Sequence, residues 1–354
     1  MYETPITGLV LSGGGARAGY QVGVLRAIAR LRRGTAASPR RCPFGVICGT
    51  SAGAINAVLV GLNYSPAETQ QILGRMNFEK FMDDDFGVVR DVDRLLSEFG
   101  WYKGDFFRKW LGELIANKAG HADVTFDQVQ QQKAAKGFRD MYFMGTNIST
   151  HFAEVFSHEH TPRMCLADAA RISMSIPLFF ASRRSPRGDV YVDGGLLDNY
   201  PVKLFDRERY LDGADLASHG VVTEYYKKHN AGLKRRKLDI SPYIYNKETL
   251  GFRLDSEREI AAFRDQAEPV AEPIDDFFDY TRNLLKTLVD AQANYHLHGD
   301  DWQRTIYIDT LGVKTTEFKI TDAKKKALVD SGRNGTETYF KWYDDPASSP
   351  ANRV

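Results

Sequence analysis

The chain has 354 residues, of which 43% are hydrophobic and 26% are charged, and 47 Lys and Arg residues oppose 46 Asp and Glu residues. A formal charge of +1 produces no field that would attract a polyanion, so composition argues against a nucleic-acid-binding protein. The cysteines at positions 42, 48 and 165 are too few and too scattered to predict a disulfide framework or a zinc site.

The N-terminal sequence and the hydropathy pattern indicate where in the cell the protein is located. Met1–Pro5 carries an acidic residue and a proline where a signal peptide would carry Lys or Arg followed by an apolar run. No segment has the roughly 18 apolar residues of a spanning helix, and Tyr2 excludes N-myristoylation. We therefore expect a cytoplasmic protein in which any contact with a membrane is peripheral.

Two strand–turn–helix units open the chain. An apolar strand over Ile6–Leu11 leads into Gly13-Gly14-Gly15, after which apolar residues recur at helical spacing. A second strand over Phe44–Cys48 leads into Gly49-Thr50-Ser51-Ala52-Gly53 and then into an apolar helix. Successive units of this kind predict a parallel sheet.

The second of these turns has the pattern G-x-S-x-G between a predicted strand and a predicted helix, which is the context of a nucleophile elbow. In such an elbow the serine lies on a sharp turn, Gly49 and Gly53 provide clearance, and the helix directs free N–H groups toward the site. The same pentapeptide is also compatible with an ordinary glycine-rich helix start. The flanking strand and helix favour Ser51 as a nucleophile.

The first turn, Gly13-Gly14-Gly15, can present successive backbone N–H groups to an oxyanion or a phosphate. A dinucleotide-binding site would need an acidic residue about twenty positions further on, where residues 32–41 hold four arginines instead. The Gly-Lys-Ser/Thr of a P-loop is also absent. An anion cradle near Ser51 is the better interpretation, because acyl transfer to serine needs donors for the tetrahedral intermediate.

The middle of the chain contains an aromatic segment and a strand pair. From Phe106 to Ile115, apolar residues recur at i, i+4 and i+8 with charged residues between them. This pattern predicts an amphipathic helix that either packs on the core, which we favour, or faces a bilayer as a lid. Met141–Met144 and Phe152–Phe156 predict adjacent strands joined by a polar turn.

A nucleophilic serine needs a base, and Asp193 is the candidate. The eight histidines all lie in polar or surface contexts, whereas Asp193 ends a short apolar strand and precedes Gly194-Gly195. Catalytic groups emerge at such carboxyl ends of parallel strands. A free aspartate, with a pKa of about 3.9, is a poor base at neutral pH, but burial raises that pKa. The alternative is an aspartate that only caps a β-turn.

Four segments, taken in order, resemble the patatin-like phospholipase family. They are Gly13–Arg17, Gly49–Gly53, the Ser-x-Ser-x-Pro-x-x-Phe run within Ala170–Phe180, and Asp193–Pro201. The resemblance implies a three-layer α/β/α sandwich with a mostly parallel central sheet and a nucleophile elbow at Ser51. It also implies a Ser51–Asp193 dyad without histidine, and a reaction that needs no metal or cofactor.

The resemblance also implies a role for each motif. The oxyanion hole is assigned to Gly13, Gly14, Gly15, Ala16 and Arg17, and the elbow to Gly49, Thr50, Ala52 and Gly53 around the nucleophile. The substrate pocket is assigned to Ser173, Ser175, Pro177, Phe180, Gly194 and Gly195. One departure from the family pattern is Ala18, which stands where a glycine is expected after Arg17. Arg17 is interpreted either as a contact to a substrate phosphate or to the nucleotide-like charge of a partner, or as a salt bridge that fixes the loop.

We predict a catalytic domain over residues 7–210 and a C-terminal extension over residues 211–354. The extension is expected to be mostly helical, with a late strand at Thr305–Thr310, and to pack on the catalytic domain. Its basic stretch, Lys227–Lys237, is interpreted either as a docking site for anionic lipid or as a solvated loop. A small-molecule or protein regulator that binds the extension is a hypothesis motivated by its length.

The predicted activity is that of a lipid acyl hydrolase, of phospholipase A or lysophospholipase type, acting on phospholipid or lysophospholipid at a membrane surface. One alternative is a soluble carboxylesterase or thioesterase that uses the same dyad. Another is a non-catalytic protein that binds lipid or a nucleotide. No nucleic-acid partner is expected, and the sequence does not indicate an oligomeric state.

Overall fold

The computed structural model describes residues 6–15, 23–27, 44–82, 95, 97–211, 213, 215–237, 240–255, 271, 274–275, 280, 283–284, 287–288, 299–313, 317 and 319–345. Within them the main sheet has eight strands: β1 (Gly8–Leu11), β2 (Val46–Gly49), β4 (Asp140–Asn147), β5 (Phe152–Ser157), β7 (Arg183–Arg184), β8 (Val190–Asp193), β11 (Thr249–Asp255) and β12 (Thr305–Asp309). Two small sheets pair β3 (Gly100–Tyr102) with β6 (Leu178–Phe180) and β9 (Gly220–Val221) with β10 (Tyr245–Asn246).

The helices of the described residues include α1 (Ala52–Gly61), α2 (Pro66–Arg75), α3 (Asp105–Ala119), α4 (Phe126–Lys136), α5 (Leu166–Ser173), α6 (Leu216–His219), α7 (Glu224–Arg235) and α8 (Asp322–Asp344). Single 3₁₀ turns cover Phe78–Phe81, Gly194–Leu196, Glu208–Tyr210 and Gly299–Arg304. Capping boxes start α2 at Ser65 and α4 at Thr125, because each side chain accepts the N3 backbone N–H. Among the described helices, none combines the length and the hydropathy needed to span a bilayer.

The main sheet is mostly parallel. Its strands follow the order β12-β11-β1-β2-β4-β8-β7, and β5 pairs with β4 beside this path. The contacts β12–β11, β11–β1, β1–β2 and β2–β4 are parallel, as expected for strands joined by helical crossovers. The contacts β4–β5, β4–β8 and β7–β8 are antiparallel.

Apolar side chains pack on both faces of this sheet. On one face lies the larger core, where α1 is buried along all ten of its residues, as expected for a helix that is apolar on every side. On the other face Val10, Cys48 and Tyr142 pack against Tyr200 and Phe205. The predicted α/β sandwich with a mostly parallel central sheet is confirmed.

The aromatic segment predicted as either a core helix or a lid is α3. Phe107, Leu111 and Ile115 are each at most 1% exposed and belong to the larger core. The spacing of four residues places these three side chains on one face, and Phe81 packs edge-on against Phe107 with 5.3 Å between ring centroids. The core-helix interpretation is confirmed.

Residues beyond 210 contribute two strands to the main sheet. The late strand predicted at Thr305–Thr310 is β12, but β11 was not predicted and hydrogen-bonds directly to β1. β11 was missed because Arg253 and Asp255 give it a polar appearance, although in the fold they pair with each other at 2.9 Å and are buried. The basic stretch predicted as a docking site or a solvated loop lies mostly in α7, where Tyr226 is the buried residue.

A buried ion cluster joins residues from both sides of position 210. Arg304 contacts Asp206 through both terminal nitrogens, at 2.5 and 2.7 Å, and Asp301 at 2.7 Å. All three side chains are almost fully buried, so each charge depends on the others for compensation. The cluster therefore links the 3₁₀ helix before β12, which contains Asp301 and Arg304, to Asp206.

Candidate active site

Ser51 lies between β2 and α1 in a conformation that few non-glycine residues adopt. Its φ is 53° and its ψ is −128°, so the backbone turns sharply as the strand ends and the helix begins. Cβ atoms added to Gly49 and Gly53 would lie 2.3 Å from the Gly53 carbonyl oxygen and 2.4 Å from the Leu11 carbonyl oxygen, respectively. Both positions require glycine because the backbone on either side approaches so closely, which agrees with the predicted elbow.

Asp193 lies near Ser51 because β2 and β8 lie end to end along one edge of β4. Phe143 pairs with Gly49 of β2 and Gly145 pairs with Asp193 of β8, while β5 occupies the opposite edge at both positions. β2 and β8 therefore approach each other from opposite ends, and their last residues are two β4 positions apart, or about 7 Å along the strand.

This arrangement corrects one step of the sequence reasoning. Asp193 was expected at the carboxyl end of a parallel strand, but β8 is antiparallel to β4. β8 enters the sheet at the carboxyl edge and ends after four residues, so its last residue lies beside the end of β2. The predicted meeting of Ser51 and Asp193 thus depends on an antiparallel insertion into the parallel sheet.

The carboxyl group of Asp193 is buried and poorly solvated. Burial raises its pKa to about 7, while the nearby Ser51 hydroxyl and the Gly195 N–H stabilise the charged form and partly offset this rise. Oδ1 accepts the Gly195 N–H at 2.7 Å, and Oδ2 has no hydrogen-bond partner among the described residues. Ser51 and Asp193 are each 5% exposed. A carboxylate with a pKa near neutrality and a free oxygen beside a hydroxyl is suited to act as a general base.

The Ser-x-Ser-x-Pro segment supports the dyad through hydrogen bonds. The Ser173 hydroxyl accepts the Ser51 N–H at 3.0 Å, and the Ser175 carbonyl oxygen accepts the Asp193 N–H at 2.8 Å. The buried Arg171 guanidinium donates to the Ser175 hydroxyl at 2.6 Å and to three backbone carbonyl oxygens. Ser173 and Ser175 therefore hold the backbones of Ser51 and Asp193.

The pocket role predicted for this segment and its neighbours stays a prediction. Ser173, Ser175, Phe180, Gly194 and Gly195 are buried, and Pro177 is half-buried. The reason for glycine at position 194 is packing, since an added Cβ would lie 2.4 Å from the Met144 carbonyl oxygen of β4.

The glycine turn after β1 lies against Ser51. A Cβ added to Gly13 would lie 2.9 Å from the Ser51 Cβ and 2.2 Å from the Asn199 Oδ1. The Gly13 N–H donates to the Asn199 carbonyl oxygen at 3.2 Å, and its assignment as an oxyanion donor stays a prediction. Gly15 has a φ of 52°, a left-handed conformation that favours glycine. The assignments of Gly14 and Gly15 as donors stay predictions, and Ala16 and Arg17 lie outside the described residues.

The elbow residues on either side of Ser51 are held in place by the backbone. The Thr50 N–H donates to the Leu11 carbonyl oxygen at 3.1 Å, and the Thr50 hydroxyl lies 3.3 Å from the Asp198 carbonyl oxygen. Ala52 is buried and begins α1, whose N-terminus is directed at the nucleophile. The partial positive charge of that helix end favours an oxyanion at this position.

Sequence reasoning missed Asn199 as a site residue. Its half-buried side chain packs against Gly13 and would meet a Cβ added to Gly195 at 2.8 Å. No hydrogen bond of this side-chain amide is found within the described part of the chain. The available signal was its place six residues after Asp193, in the segment that the family resemblance already included.

A group of possible metal ligands lies far from the dyad. Asp215, His219 and Glu248 place one ligand atom each within 4.8 Å of one another. The His219 Nδ1 and the Glu248 Oε1 are 2.7 Å apart, and the Thr7 hydroxyl donates to the other Glu248 oxygen at 2.7 Å. Thr7 immediately precedes β1, so this group lies at the amino edge of the parallel strands, opposite Ser51.

Comparisons with known proteins show the family of the chain. A family model described as Patatin-like phospholipase matches residues 9–206, a range that contains both Ser51 and Asp193. The uncharacterized protein YqhO of Bacillus subtilis is 26% identical over 306 residues, which cover 84% of this chain and 88% of that protein. "Probable lipid hydrolase 463L" of Invertebrate iridescent virus 6 is 24% identical over 201 residues, covering 55% of this chain and 62% of that one.

A solved structure shares the fold. The crystal structure of VipD from Legionella pneumophila superposes with a TM-score of 0.56 at 16% sequence identity. The superposition covers 96% of this chain and 67% of that one. It therefore includes residues on both sides of position 210.

Proposed function

The chain belongs to the patatin-like phospholipase family, and from this premise we propose that it is a lipid acyl hydrolase that cleaves carboxylic ester bonds of membrane phospholipids or lysophospholipids. Ser51 acts as the nucleophile and Asp193 as the base. The observation that supports this proposal most directly is the end-to-end alignment of β2 and β8, which pairs a strained serine with a buried carboxyl group. The match to a lipid hydrolase of a virus supports the substrate class.

In the first half of the proposed reaction, the Ser51 Oγ attacks the ester carbonyl carbon while its proton moves to the Asp193 carboxylate. The proton then passes to the leaving alcohol as the ester C–O bond breaks, which leaves an acyl group on Ser51. Oδ2 of Asp193 is the suitable proton acceptor, because Oδ1 already accepts the Gly195 N–H. The N-terminus of α1 and the glycine turn are the proposed sources of oxyanion stabilisation.

In the second half, a water molecule gives a proton to Asp193 and attacks the acyl group on Ser51. The fatty acid leaves, and the proton returns to the Ser51 Oγ. The low exposure of both dyad residues keeps bulk water away and strengthens the electrostatic interactions between them. The proposed contact with the membrane is peripheral.

The test is mass spectrometry of the products released from mixed phospholipid bilayers by the wild type, Ser51→Ala and Asp193→Asn. The wild type is expected to release fatty acid and lysophospholipid, and each variant to reduce the rate by about a thousandfold or more, because the two groups act as a unit. Asp198→Asn is the matched control. Burial also raises the pKa of Asp198 to about 7, but this carboxyl group faces Cys48 and Lys203 rather than Ser51.

The outcomes separate the alternatives. Turnover of short soluble esters or thioesters without release from phospholipid would identify a soluble esterase or thioesterase with this dyad. Lipid binding without turnover of any ester would identify a non-catalytic protein. An unchanged rate in folded Ser51→Ala would refute the assignment of the nucleophile.

A further inference from the structure

Two neighbouring hairpins project from the carboxyl edge of the main sheet. One joins β4 to β5 and the other joins β7 to β8. We call the exposed side chains at and beside their tips the hairpin rim, which consists of Phe99, Ile148, Phe152, Arg184 and Arg187.

Strand register makes the hairpin rim continuous. Arg184 pairs with Val190 of β8, and the Val190 carbonyl oxygen accepts the Ile148 N–H at 2.9 Å. One register position closer to the dyad, Asn147 pairs with Phe152. On the other side, the Arg184 guanidinium lies 5.6 Å from the centroid of the Phe99 ring. A single row of residues thus runs across both hairpins.

The hairpin rim stands just beyond the dyad. Phe152 is level with Asn147, which is two residues past Gly145, the partner of Asp193. Two residues of a strand span about 7 Å, so the rim lies on the same edge of the sheet as the reacting groups and projects past them. A flat surface that touched the rim would face the entrance to the dyad.

The chemistry of the hairpin rim combines apolar side chains with cations. Phe152 is 70% exposed, and Phe99 and Ile148 are each more than 40% exposed. Phe99 has a φ of 61°, an unusual conformation for an aromatic residue, and its side chain is partly exposed. The segment 183–189 carries three arginines and one aspartate, and Arg183 lies 3.9 Å from Asp105.

We propose that the hairpin rim docks on the surface of an anionic phospholipid bilayer and thereby presents the dyad to its lipid substrate. Aromatic and aliphatic side chains enter the interface, and Arg184 and Arg187 remain at the level of the lipid phosphates. This inference rests on the proposed function, because only a lipid substrate gives the docking a purpose.

A second exposed apolar and basic surface of the described residues lies at the opposite edge of the sheet. Val221 and Val222 are exposed beside α7, whose lysines include Lys228. Val221 pairs with Tyr245 in β10, which directly precedes the amino end of β11. A bilayer bound at this surface would contact the amino edge of the parallel strands, away from Ser51.

The test measures vesicle binding by the full chain carrying Ser51→Ala, so that the lipids stay intact. The vesicles contain phosphatidylcholine alone or phosphatidylcholine mixed with phosphatidylglycerol. The rim variant adds Phe152→Ser and Arg184→Glu, and the matched control adds Val222→Ser and Lys228→Glu, which makes the same type of change at the opposite edge. We expect the parent to prefer anionic vesicles and the control to bind them like the parent. The rim variant is expected to bind anionic vesicles at least about tenfold more weakly than the parent.

A second measurement separates docking from catalysis and from misfolding. With Ser51 restored, the rim variant is expected to hydrolyse a short monomeric ester at the wild-type rate, but phospholipid in anionic vesicles about tenfold more slowly. A second rim variant, Ile148→Ser with Arg187→Glu, should behave in the same way. It replaces the first one if that chain does not fold.

The outcomes distinguish the two proposals. Docking is refuted if the parent does not bind anionic vesicles, or if both rim variants bind them as tightly as the parent. It is also refuted if the control variant loses as much binding as the rim variants. If the rim variants lose vesicle binding while the wild type releases no fatty acid from phospholipid, docking stands and the proposed function fails.

Discussion

At the scale of single residues, the ionisation of Asp193 sets the pH dependence of the proposed reaction. The carboxyl group must be charged to accept the Ser51 proton, and burial raises its pKa to about 7. We therefore expect kcat/KM for a short soluble ester to rise tenfold per pH unit below about pH 7 and to level off above it. Rates measured between about pH 5 and pH 9 test this, and a profile that is flat across pH 7 would contradict a base with a pKa of about 7.

The same burial has an effect on stability. The pKa of Asp193 rises from roughly 3.9 in the unfolded chain to about 7 in the folded one, so the folded state holds a proton that the unfolded state releases. The free energy of unfolding is consequently lowered as pH rises from about 4 to about 7, by a total of a few kcal/mol. Asp193→Asn removes this dependence.

We expect Asp193→Asn to raise the unfolding temperature more at pH 8 than at pH 5, while it abolishes activity. Thermal unfolding followed by circular dichroism at the two pH values measures the difference. Asp198→Asn should show the same sign, since burial gives that carboxyl group a similar pKa. Equal effects of Asp193→Asn at both pH values would contradict the raised pKa.

At the scale of elements, the turn after β1 and the elbow after β2 are fitted to each other. Gly13 has no space for a Cβ, because Asn199 and Ser51 lie on either side of it. Gly13→Ala is therefore expected to displace the Ser51 side chain or the Asn199 amide, and to lower ester turnover by about a hundredfold while the chain stays folded. Gly45→Ala is the matched control, since the nearest atom to its Cβ is 3.8 Å away. Equal rates for the two variants would show that the turn does not position the nucleophile.

Sequence patterns predicted the elements that depend on local spacing, but not those that depend on pairing with distant strands. The elbow at Ser51 and the core face of α3 were predictable, because spacing along one segment determines them. The direction of β8 was not, because Val190–Asp193 is too short to carry information on which way it runs, and only its pairing with β4 determines this. β11 was missed because Arg253 and Asp255 compensate each other inside the fold. Asn199 depends on a contact with Gly13 that is distant in sequence.

At the scale of the whole molecule, the residues on both sides of position 210 share one sheet. Without β11 and β12, the N–H and C=O groups of β1 that now face β11 would lose their partners, and the larger core would lose Phe252, Ile306 and Ile308. The buried Asp206 would also lose Arg304. The predicted catalytic domain therefore depends on strands that follow it in the chain.

We accordingly expect a chain that ends at residue 210 to fail to fold. Circular dichroism and thermal unfolding of the truncated and full chains test this. The loss of a compensating charge from a buried ion pair alone costs about 3–5 kcal/mol, a large part of the stability of an ordinary domain. A truncated chain with a cooperative unfolding transition near that of the full chain would contradict this and would favour an independent extension.

Because β2 and β8 both pair with β4, the length of β4 between the two pairings sets the distance between Ser51 and Asp193. Gly49 and Asp193 are registered to Phe143 and Gly145, with Met144 between them. Inserting one residue there would move the two strand ends apart by about 3.3 Å, roughly the length of a hydrogen bond. Added length at the hairpin tips leaves this gap untouched, so we expect the spacing between Ser51 and Asp193 to tolerate long loops but no change in the length of this short interior stretch.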